Sequence, residues 1–513
     1  MTAPTNEAAP ASGRDARGWP ARLVLVACAL TLAGAALRVA VHDPTDQPVS
    51  GDQASFTYQA LSLLGGDLAF DASDQKRWLE LGWADQPHGL FVQRRDDGWA
   101  FAKPLGYSVL LAPAMAVADA RGISLVGAAL VLAYAGCWYG LGRLRWDRPA
   151  AVVVATVATV ASHAWLFGFP AHADLFVAVL VGLAALGAAR VAWRSTAAFL
   201  GSPTLWLTLA AVTTGLLVTE KLPALIALTP LLMVAFVRAP GRARVIAAVA
   251  GVAAVAVSVG PYLYYSDGAS WSAYGGDRYY AIATTPWSGG TADDLTPWHT
   301  RDSLSPSFVL DSLEHPSDDL ASATLTYAVG RHTGVATFLP IVPALFAAAV
   351  VARWRHRRTP SFSAHPAPPS GGESAQNQLG VAGPDRTVAL AAAAGLAAYV
   401  GLYLIVFTDN YFGGGQSVGN RYFLQVSLLV PVVATASGVT SRAARWCGAA
   451  AVVWALVVLG AQLRHPEEAF YRIERTSAAQ RALPFDGSQV HAWRFQCEPA
   501  ECVPPPLEAF GEG

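Results

Sequence analysis

Residues 22–41 read RLVLVACALTLAGAALRVAV, a run in which only Arg22 and Arg38 carry charge. About 20 apolar residues in a helix cross the roughly 30 Å hydrocarbon core of a bilayer. Similar runs recur along the 513-residue chain, which is 53% hydrophobic and 14% charged. Soluble proteins have about 25% charged residues. We therefore predict an all-α polytopic membrane protein rather than a soluble enzyme.

The charge balance bears on partners and source. A net charge of −1 provides no basic field for nucleic acid, so we expect membrane lipid but no nucleic acid as a partner. Nearly all basic residues are arginine, and alanine and valine are abundant. This composition is typical of a GC-rich bacterial genome and predicts a multi-pass protein of the bacterial cytoplasmic (inner) membrane.

Arginine clusters flank many of the apolar runs, and positive charge favours the cytoplasmic side of a membrane. Placing every cluster inside gives a cytoplasmic N-terminal tail, 1–21, and one consistent path. The path has about eleven spans, at roughly 22–41, 123–142, 150–168, 175–192, 203–219, 222–238, 245–263, 335–352, 387–408, 422–440 and 446–463. The apolar run 104–118 is too short to span, and we predict that it is re-entrant or interfacial.

The same path predicts the domain organisation. Residues 22–352 form a transmembrane catalytic module with outer loops at about 42–122 and 264–334. Residues 353–386 are rich in Pro, Ser and Gly, which predicts a disordered cytoplasmic linker. The C-terminal transmembrane helices occupy 387–463, and an extracytoplasmic tail follows at 464–513.

The first outer loop opens with a predicted helix, SGDQASFTYQALSLLGGD, residues 50–67. Ser50 and Gln53 match a capping box, and apolar residues from Phe56 to Leu64 share one helical face. We therefore predict an amphipathic helix lying on the outer membrane surface. Asp52 lies in its first turn, where the helix dipole favours a negative charge. That carboxylate either caps the helix or acts as a general base or cation ligand.

Four further motifs follow in the chain. They are FAKPLGYSVLLAPAMAV (101–117), FPAHADLFVAVLVGLAA (169–185), GLLVTEKLPALIALTP (215–230) and YFGGGQSVGNRYFLQVSLLVP (411–431). With the first helix, their order and outer placement resemble the GT-C superfamily of integral membrane glycosyltransferases. Members include protein mannosyltransferases, aminoarabinose transferases and actinobacterial arabinosyltransferases, which use polyprenyl-phosphate-linked sugars. The resemblance covers most of the chain from about 22 to 432 and implies a GT-C-like bundle.

The resemblance also implies site residues. The matching positions are Asp52, Tyr58 and Asp67 in the first helix, Lys103 in the second motif, Asp174 as a second acidic residue, Lys221 at the next corner and Arg421 in the Gly-rich loop. Gln53 departs from the pattern, because many relatives have glutamate there. Leu105 stands where a second proline is common.

These residue types suit one reaction. A sugar on a lipid phosphate must meet an acceptor hydroxyl, and one positioned carboxylate can deprotonate that hydroxyl with inversion at the anomeric carbon. We predict that Asp52 is this base. Lys103, Lys221 and Arg421 would bind the departing phosphate. Lys221 and Arg421 could instead extend from span ends to the interface.

Cofactors and acceptor remain open at this point. Asp52, His172 and Asp174 could bind a divalent metal, or His172 could simply cap an outer corner; no cofactor is certain. Trp271, Tyr274 and Trp287 of the second outer loop could bind the acceptor or anchor at the interface. The acceptor could be a glycan, a glycolipid or a protein. Cys497 and Cys502 could form a disulfide in an oxidising compartment.

Two other functions compete with a transferase. A sugar or lipid transporter or flippase would place charged or broken-helix features within the membrane, and most of the predicted spans have apolar centres. A non-catalytic scaffold for envelope assembly would tolerate the loss of Asp52. We predict a glycosyltransferase whose active site lies on the extracytoplasmic face.

Overall fold

The computed structural model describes residues 18–46, 51–66, 69–70, 72–83, 88–95, 98–193, 202–265, 273, 278–281, 296–297, 320–358, 385–407, 413, 418–469 and 476–485. The α-helices are numbered in chain order. They are α1 Gly18–Ala40, α2 Gly51–Gly65, α3 Ala72–Glu80, α4 Gly106–Ala118, α5 Arg121–Gly142, α6 Arg148–Val160, α7 Ala173–Ala192, α8 Pro203–Glu220, α9 Leu222–Arg238, α10 Gly241–Tyr265, α11 Leu320–Val329, α12 Val335–Phe338, α13 Ile341–Arg358, α14 Arg386–Gly401, α15 Arg421–Val426, α16 Val430–Ala436, α17 Ser441–Val458, α18 Gly460–Arg464 and α19 Ala478–Arg481.

Within the described residues, six helical segments are long and apolar enough to cross a membrane. They are Ala21–Ala40, Arg121–Gly142, Ala173–Ala192, Gly241–Tyr264, Arg386–Val406 and Ser441–Val458. This confirms the predicted class, a largely helical polytopic protein. The five other predicted spans correspond to helices that are shorter or less apolar, namely α6, α8, α9, α13 and the interrupted pair α15–α16. The count of about eleven spans is therefore not confirmed.

The arginine-bearing connections meet at one end of the helical bundle. Arg238, at the end of α9, pairs with Asp385 at the start of α14, with 2.5 Å between Nη1 and Oδ2. Arg445 on α17 lies 3.0 Å from Asp147, which caps α6. Helix α5 separates the connection that contains Asp147 from the connection that follows α1, where Ser124 Oγ donates to the His42 carbonyl at 2.8 Å. We call this opposite end the site end.

Close helix packing depends on glycine at one position of α14. A Cβ built on Gly395 would overlap the carbonyl oxygen of Ala227 on α9, whereas a Cβ on Gly401, in the same helix, meets no atom within 4 Å.

We therefore expect Gly395→Ala to lower the free energy of unfolding by about 1–3 kcal/mol, the usual cost of overpacking. Gly401→Ala is the matched control and should leave stability unchanged or slightly higher, because alanine favours helix. Thermal unfolding of the two variants in detergent measures the difference. Equal unfolding temperatures would contradict this packing.

A small antiparallel sheet at the site end joins the two outer loops. Strands β1 Ala69–Phe70, β2 His88–Arg95 and β3 Gly98–Phe101 come from the first loop, and β4 Arg278–Ala281 and β5 Thr296–Pro297 from the second. Their order is β1-β3-β2-β4-β5, with Phe91 opposite Tyr280. The sequence analysis predicted helices but no strands in these loops.

Helix α2 lies beneath this sheet and is not the surface helix that its apolar face predicts. Every residue from Ala54 to Ser62 is buried. Its polar side chains have partners: Ser55 Oγ accepts from the Phe91 N–H at 2.9 Å, and Ser62 Oγ donates to Asp74 Oδ2 at 2.7 Å. The sheet covers one side and α4 packs on another, so both faces are enclosed. Ser50, the predicted cap, lies outside the described residues.

Two segments near the predicted domain boundaries are ordered parts of the described structure. Helix α13 continues to Arg358 and therefore extends into the predicted linker, of which residues 359–384 lie outside the described part of the chain. In the C-terminal tail, residues 476–485 pack against the turn that follows α11. Arg331 Nη2 donates to the Arg481 carbonyl at 2.7 Å. The Arg331 backbone N–H donates to the Pro484 carbonyl at 2.8 Å.

Candidate functional site

Asp52 stands at the centre of a compact charged cluster. It follows Gly51, whose φ of 57° suits glycine in the turn that enters α2. Its Oδ1 lies 2.5 Å from Lys103 Nζ, and its Oδ2 lies 2.7 Å from Arg421 Nη1. The side chains of all three are at most 18% exposed. The structure thus brings together a carboxylate and two cations from three distant segments.

Lys103 is held from several sides. Gln59 on α2 donates from Nε2 to the Lys103 carbonyl at 2.7 Å, and its Oε1 accepts from Ser108 Oγ at 2.8 Å. The ammonium lies 3.8 Å from the centre of the Phe91 ring on β2, a favourable cation–π distance. Helix α2, the sheet and the start of α4 therefore all direct this ammonium towards Asp52.

Arg421 begins α15 after a turn that requires glycine. Gly419 has a φ of 73°, and a Cβ there would lie 2.5 Å from the His163 ring. Asn420 caps the helix, its Oδ1 accepting from the Phe423 N–H at 3.0 Å. The Arg421 guanidinium then reaches Asp52 and also His172, with 2.8 Å between Nη1 and Nε2.

His172 and Asp174 form a second pair of side chains in the cluster, next to Arg421. His172 Nδ1 lies 2.6 Å from Asp174 Oδ2 at the N-terminus of α7. Because Arg421 can only donate, His172 Nε2 is the acceptor of their contact, while Nδ1 lies beside Asp174. Gln425, one turn after Arg421, donates to the other oxygen of Asp174. This network joins α7 to α15 and orients Arg421.

The surrounding charges determine the ionisation of Asp52. Burial acts to raise its pKa, but Lys103 and Arg421, with a smaller effect from His172, hold the pKa well below its usual range. Asp52 is therefore ionised at neutral pH. While both cations remain paired to it, it is a weak base.

This low pKa predicts how stability depends on pH. The folded pKa lies below the unfolded value of about 3.9, so the ion pairs stabilise the protein above that value. Their contribution is lost as the pH falls through the folded pKa. The unfolding temperatures of wild type and Asp52→Asn should differ most at pH 6, and the difference should begin to narrow as the pH falls below about 4. A gap that stays constant down to pH 3 would contradict the assignment.

The three candidate metal ligands surround an arginine instead. Arg421 Nη1 lies 2.7 Å from Asp52 Oδ2, 2.8 Å from His172 Nε2 and 3.8 Å from Asp174 Oδ2. Across the described residues, no group of three His, Cys, Asp or Glu side chains is arranged to hold a metal ion. The positive charge between these three side chains is therefore the guanidinium.

Lys221 borders the cluster. It lies between α8 and α9, with its ammonium 4.1 Å from the centre of the Tyr422 ring. Tyr422 is the neighbour of Arg421 in the chain. The third predicted phosphate ligand therefore lies near Arg421 without being paired to Asp52.

Of the remaining predicted site residues, the structure describes Tyr58, which lies outside the cluster. Tyr58 is buried and packs on Trp78, with 5.0 Å between ring centres, at the junction of α2 and α3. Six others lie outside the described residues: Asp67, Trp271, Tyr274, Trp287, Cys497 and Cys502.

Two contacts that organise the site were not predicted. Gln425 lies four positions after Arg421, and residues with this spacing share a helical face, which is a signal in the sequence. The side chain of Glu220, which precedes Lys221, contacts the backbone at the start of α4, and no local pattern indicates that contact.

Comparisons with family models, with curated proteins and with solved structures found no match to this chain. The case for a function therefore depends on the geometry of the cluster and on the motifs that resemble GT-C enzymes.

Proposed function

We propose that this protein is a membrane glycosyltransferase of the GT-C type. It moves a sugar from a polyprenyl phosphate to an extracytoplasmic acceptor, which is a cell-envelope glycan, a glycolipid or a protein. The observation that carries the proposal is Asp52 paired with Lys103 and Arg421 at one end of a bundle of apolar helices. This arrangement supplies a base and a phosphate site next to the lipid phase.

The phosphate of the donor competes with Asp52 for the same two cations. A lipid phosphate offers several acceptor oxygens, and arginine binds phosphate in a fork geometry. Lys103 and Arg421 turn to the phosphate, with Lys221 close by. Asp52 loses its ion pairs, and its pKa rises towards the ordinary carboxyl value. The base therefore becomes effective when donor is present.

The residues of the cluster provide an acceptor for the proton and cations for the leaving phosphate. Asp52 takes the proton of the acceptor hydroxyl while the acceptor oxygen bonds to the anomeric carbon. The bond from that carbon to the phosphate oxygen breaks on the opposite face, so the configuration inverts. The electron pair leaves on the polyprenyl phosphate, whose added negative charge Lys103 and Arg421 stabilise.

The arginine distribution supports an extracytoplasmic active site. The arginine-bearing connections and the charged cluster occupy opposite ends of the bundle. Positive charge favours the cytoplasmic side, which leaves the cluster on the outer face of a bacterial cytoplasmic membrane.

A cysteine introduced at Asp46, which is exposed, should react with an impermeant thiol reagent on intact cells.

A transporter is the second candidate, because one helical segment is interrupted. Residues 421–436 form α15 and α16, separated by a 3₁₀ turn at Ser427–Leu429. Broken helices often line transporter sites. Here, however, Arg421 and Asp174 stand at the first turns of their helices, which suits a surface site better than a central one.

One assay separates these functions. Purified protein in liposomes would receive radiolabelled polyprenyl-phosphate arabinose or mannose together with a crude envelope acceptor fraction. A transferase releases polyprenyl phosphate and moves label to the acceptor, and heat-inactivated protein does neither. Translocation of intact donor would instead support a transporter. If the protein shows neither activity with any donor, the proposal is contradicted and a non-catalytic scaffold remains.

A further inference from the structure

Glu220 is a buried carboxylate that the proposed reaction does not use. It ends α8 and is 5% exposed. Its Oε1 accepts from the backbone N–H of Gly106 at 2.7 Å. Gly106 begins α4, where N–H groups have no partner within the helix. Leu105 at the cap position provides no side-chain cap, so Glu220 caps α4 from a separate helix.

The contact between Glu220 and α4 leaves no spare room. A Cβ built on Gly106 would lie 2.5 Å from Glu220 Oε1 and 2.9 Å from its Cδ. A methyl group at position 106 therefore cannot coexist with the carboxylate in this arrangement. The two residues form a matched pair in which glycine provides the space that the glutamate fills.

This pair joins the backbones that carry two cations. Lys221 directly follows Glu220, and Lys103 lies three residues before Gly106. The segment between Lys103 and Gly106 is short, and the Leu105 N–H is also held by Tyr262 Oη at 2.5 Å. A shift at Gly106 is therefore transmitted to Lys103. The separation of the two ammonium groups depends on one carboxylate.

We propose that Glu220 is a positioning residue that sets the spacing of Lys103 and Lys221 for the phosphate of the donor. This inference rests on the proposed glycosyltransferase function. Glu220 contacts the backbone of α4 and not the groups that take part in the reaction. It should therefore affect donor affinity rather than the chemical step.

The test uses four variants of the full-length protein: Glu220→Ala, Glu220→Gln, Gly106→Ala and the double variant Gly106→Ala/Glu220→Ala. We expect Glu220→Ala to raise KM for polyprenyl-phosphate sugar about tenfold, with kcat changed less than threefold. Gly106→Ala should act similarly by pushing the carboxylate away. Glu220→Gln keeps an acceptor oxygen and should stay within threefold of wild type. The double variant should match Glu220→Ala rather than sum the two losses, because the methyl group at position 106 no longer overlaps a carboxylate.

Hydrogen exchange of the Gly106 amide provides a readout that needs no activity. Exchange should accelerate in Glu220→Ala and stay slow in Glu220→Gln. If exchange accelerates while KM stays at the wild-type value, or if exchange does not change, the positioning role is wrong. If wild type neither turns over donor nor binds undecaprenyl phosphate while the exchange pattern is as expected, the proposed function fails and the contact of Glu220 with α4 stands.

Discussion

Replacing Asp52 with asparagine should lower kcat by about 10²–10⁴-fold, the usual contribution of a general base, while strengthening the binding of polyprenyl phosphate. The amide cannot accept the proton of the acceptor hydroxyl. It also carries no charge, so Lys103 and Arg421, both within 2.7 Å of Asp52 in the wild type, become available to the phosphate. Loss of turnover with gain of binding is a combination that a merely unfolded variant cannot produce.

Turnover of labelled donor measures kcat. Titration with sugar-free undecaprenyl phosphate measures the affinity for the lipid phosphate. Asp46→Asn is the matched control, because Asp46 follows the same helix α1 but is exposed and has no ion pair in the described structure. It should match wild type in both assays. Normal turnover by Asp52→Asn, or weaker binding of the lipid phosphate, would contradict the assignment of Asp52.

Replacing Arg421 with methionine should cost about 3–5 kcal/mol of stability, the typical loss when one partner of a buried ion pair is removed. The change leaves Asp52 with Lys103 alone and removes the donor to His172. Lysine should not substitute, because a single ammonium does not reproduce the planar guanidinium that contacts both groups. Donor turnover should also be lost.

Adding Asp52→Asn to Arg421→Met should restore part of the stability, since the unpaired carboxylate is gone, with a coupling of about 0.5–3 kcal/mol. Arg445→Met is the control at the opposite end. Its pair with Asp147, 3.0 Å apart, is exposed on both sides, and such pairs contribute under about 1 kcal/mol. Thermal unfolding of wild type, the three single variants and the double variant measures the coupling and the control. Additive losses from Arg421→Met and Asp52→Asn would show that the pair is not coupled.

The class of protein and the end-to-end order of the chain could be predicted from the sequence. Apolar runs of about 20 residues with arginines at alternate connections leave few other paths. Asp52, Lys103 and Arg421 follow connections without arginine clusters, so this pattern places them at the other end. The structure brings them into contact there. The span count could not be predicted, because hydropathy alone does not separate a crossing helix from a short buried one such as α6.

The surroundings of α2 could not be predicted for a different reason. Its apolar face is typical of a surface helix, but its burial depends on the pairing of β2 with β4. These strands come from two loops that are distant in sequence. The role of Glu220 likewise depends on a contact with Gly106 from another helix. Local patterns contain no information on such long-range contacts.

The most direct test of the central claim is a cryo-EM structure with a non-hydrolysable polyprenyl phosphonate analogue of the donor. We expect the phosphonate between Lys103 and Arg421, close to Lys221. Asp52 should be released from both cations, with its carboxylate facing the anomeric carbon from the side opposite the leaving group. A structure in which the analogue binds elsewhere, or in which Asp52 keeps both ion pairs while the analogue is bound, would contradict the account.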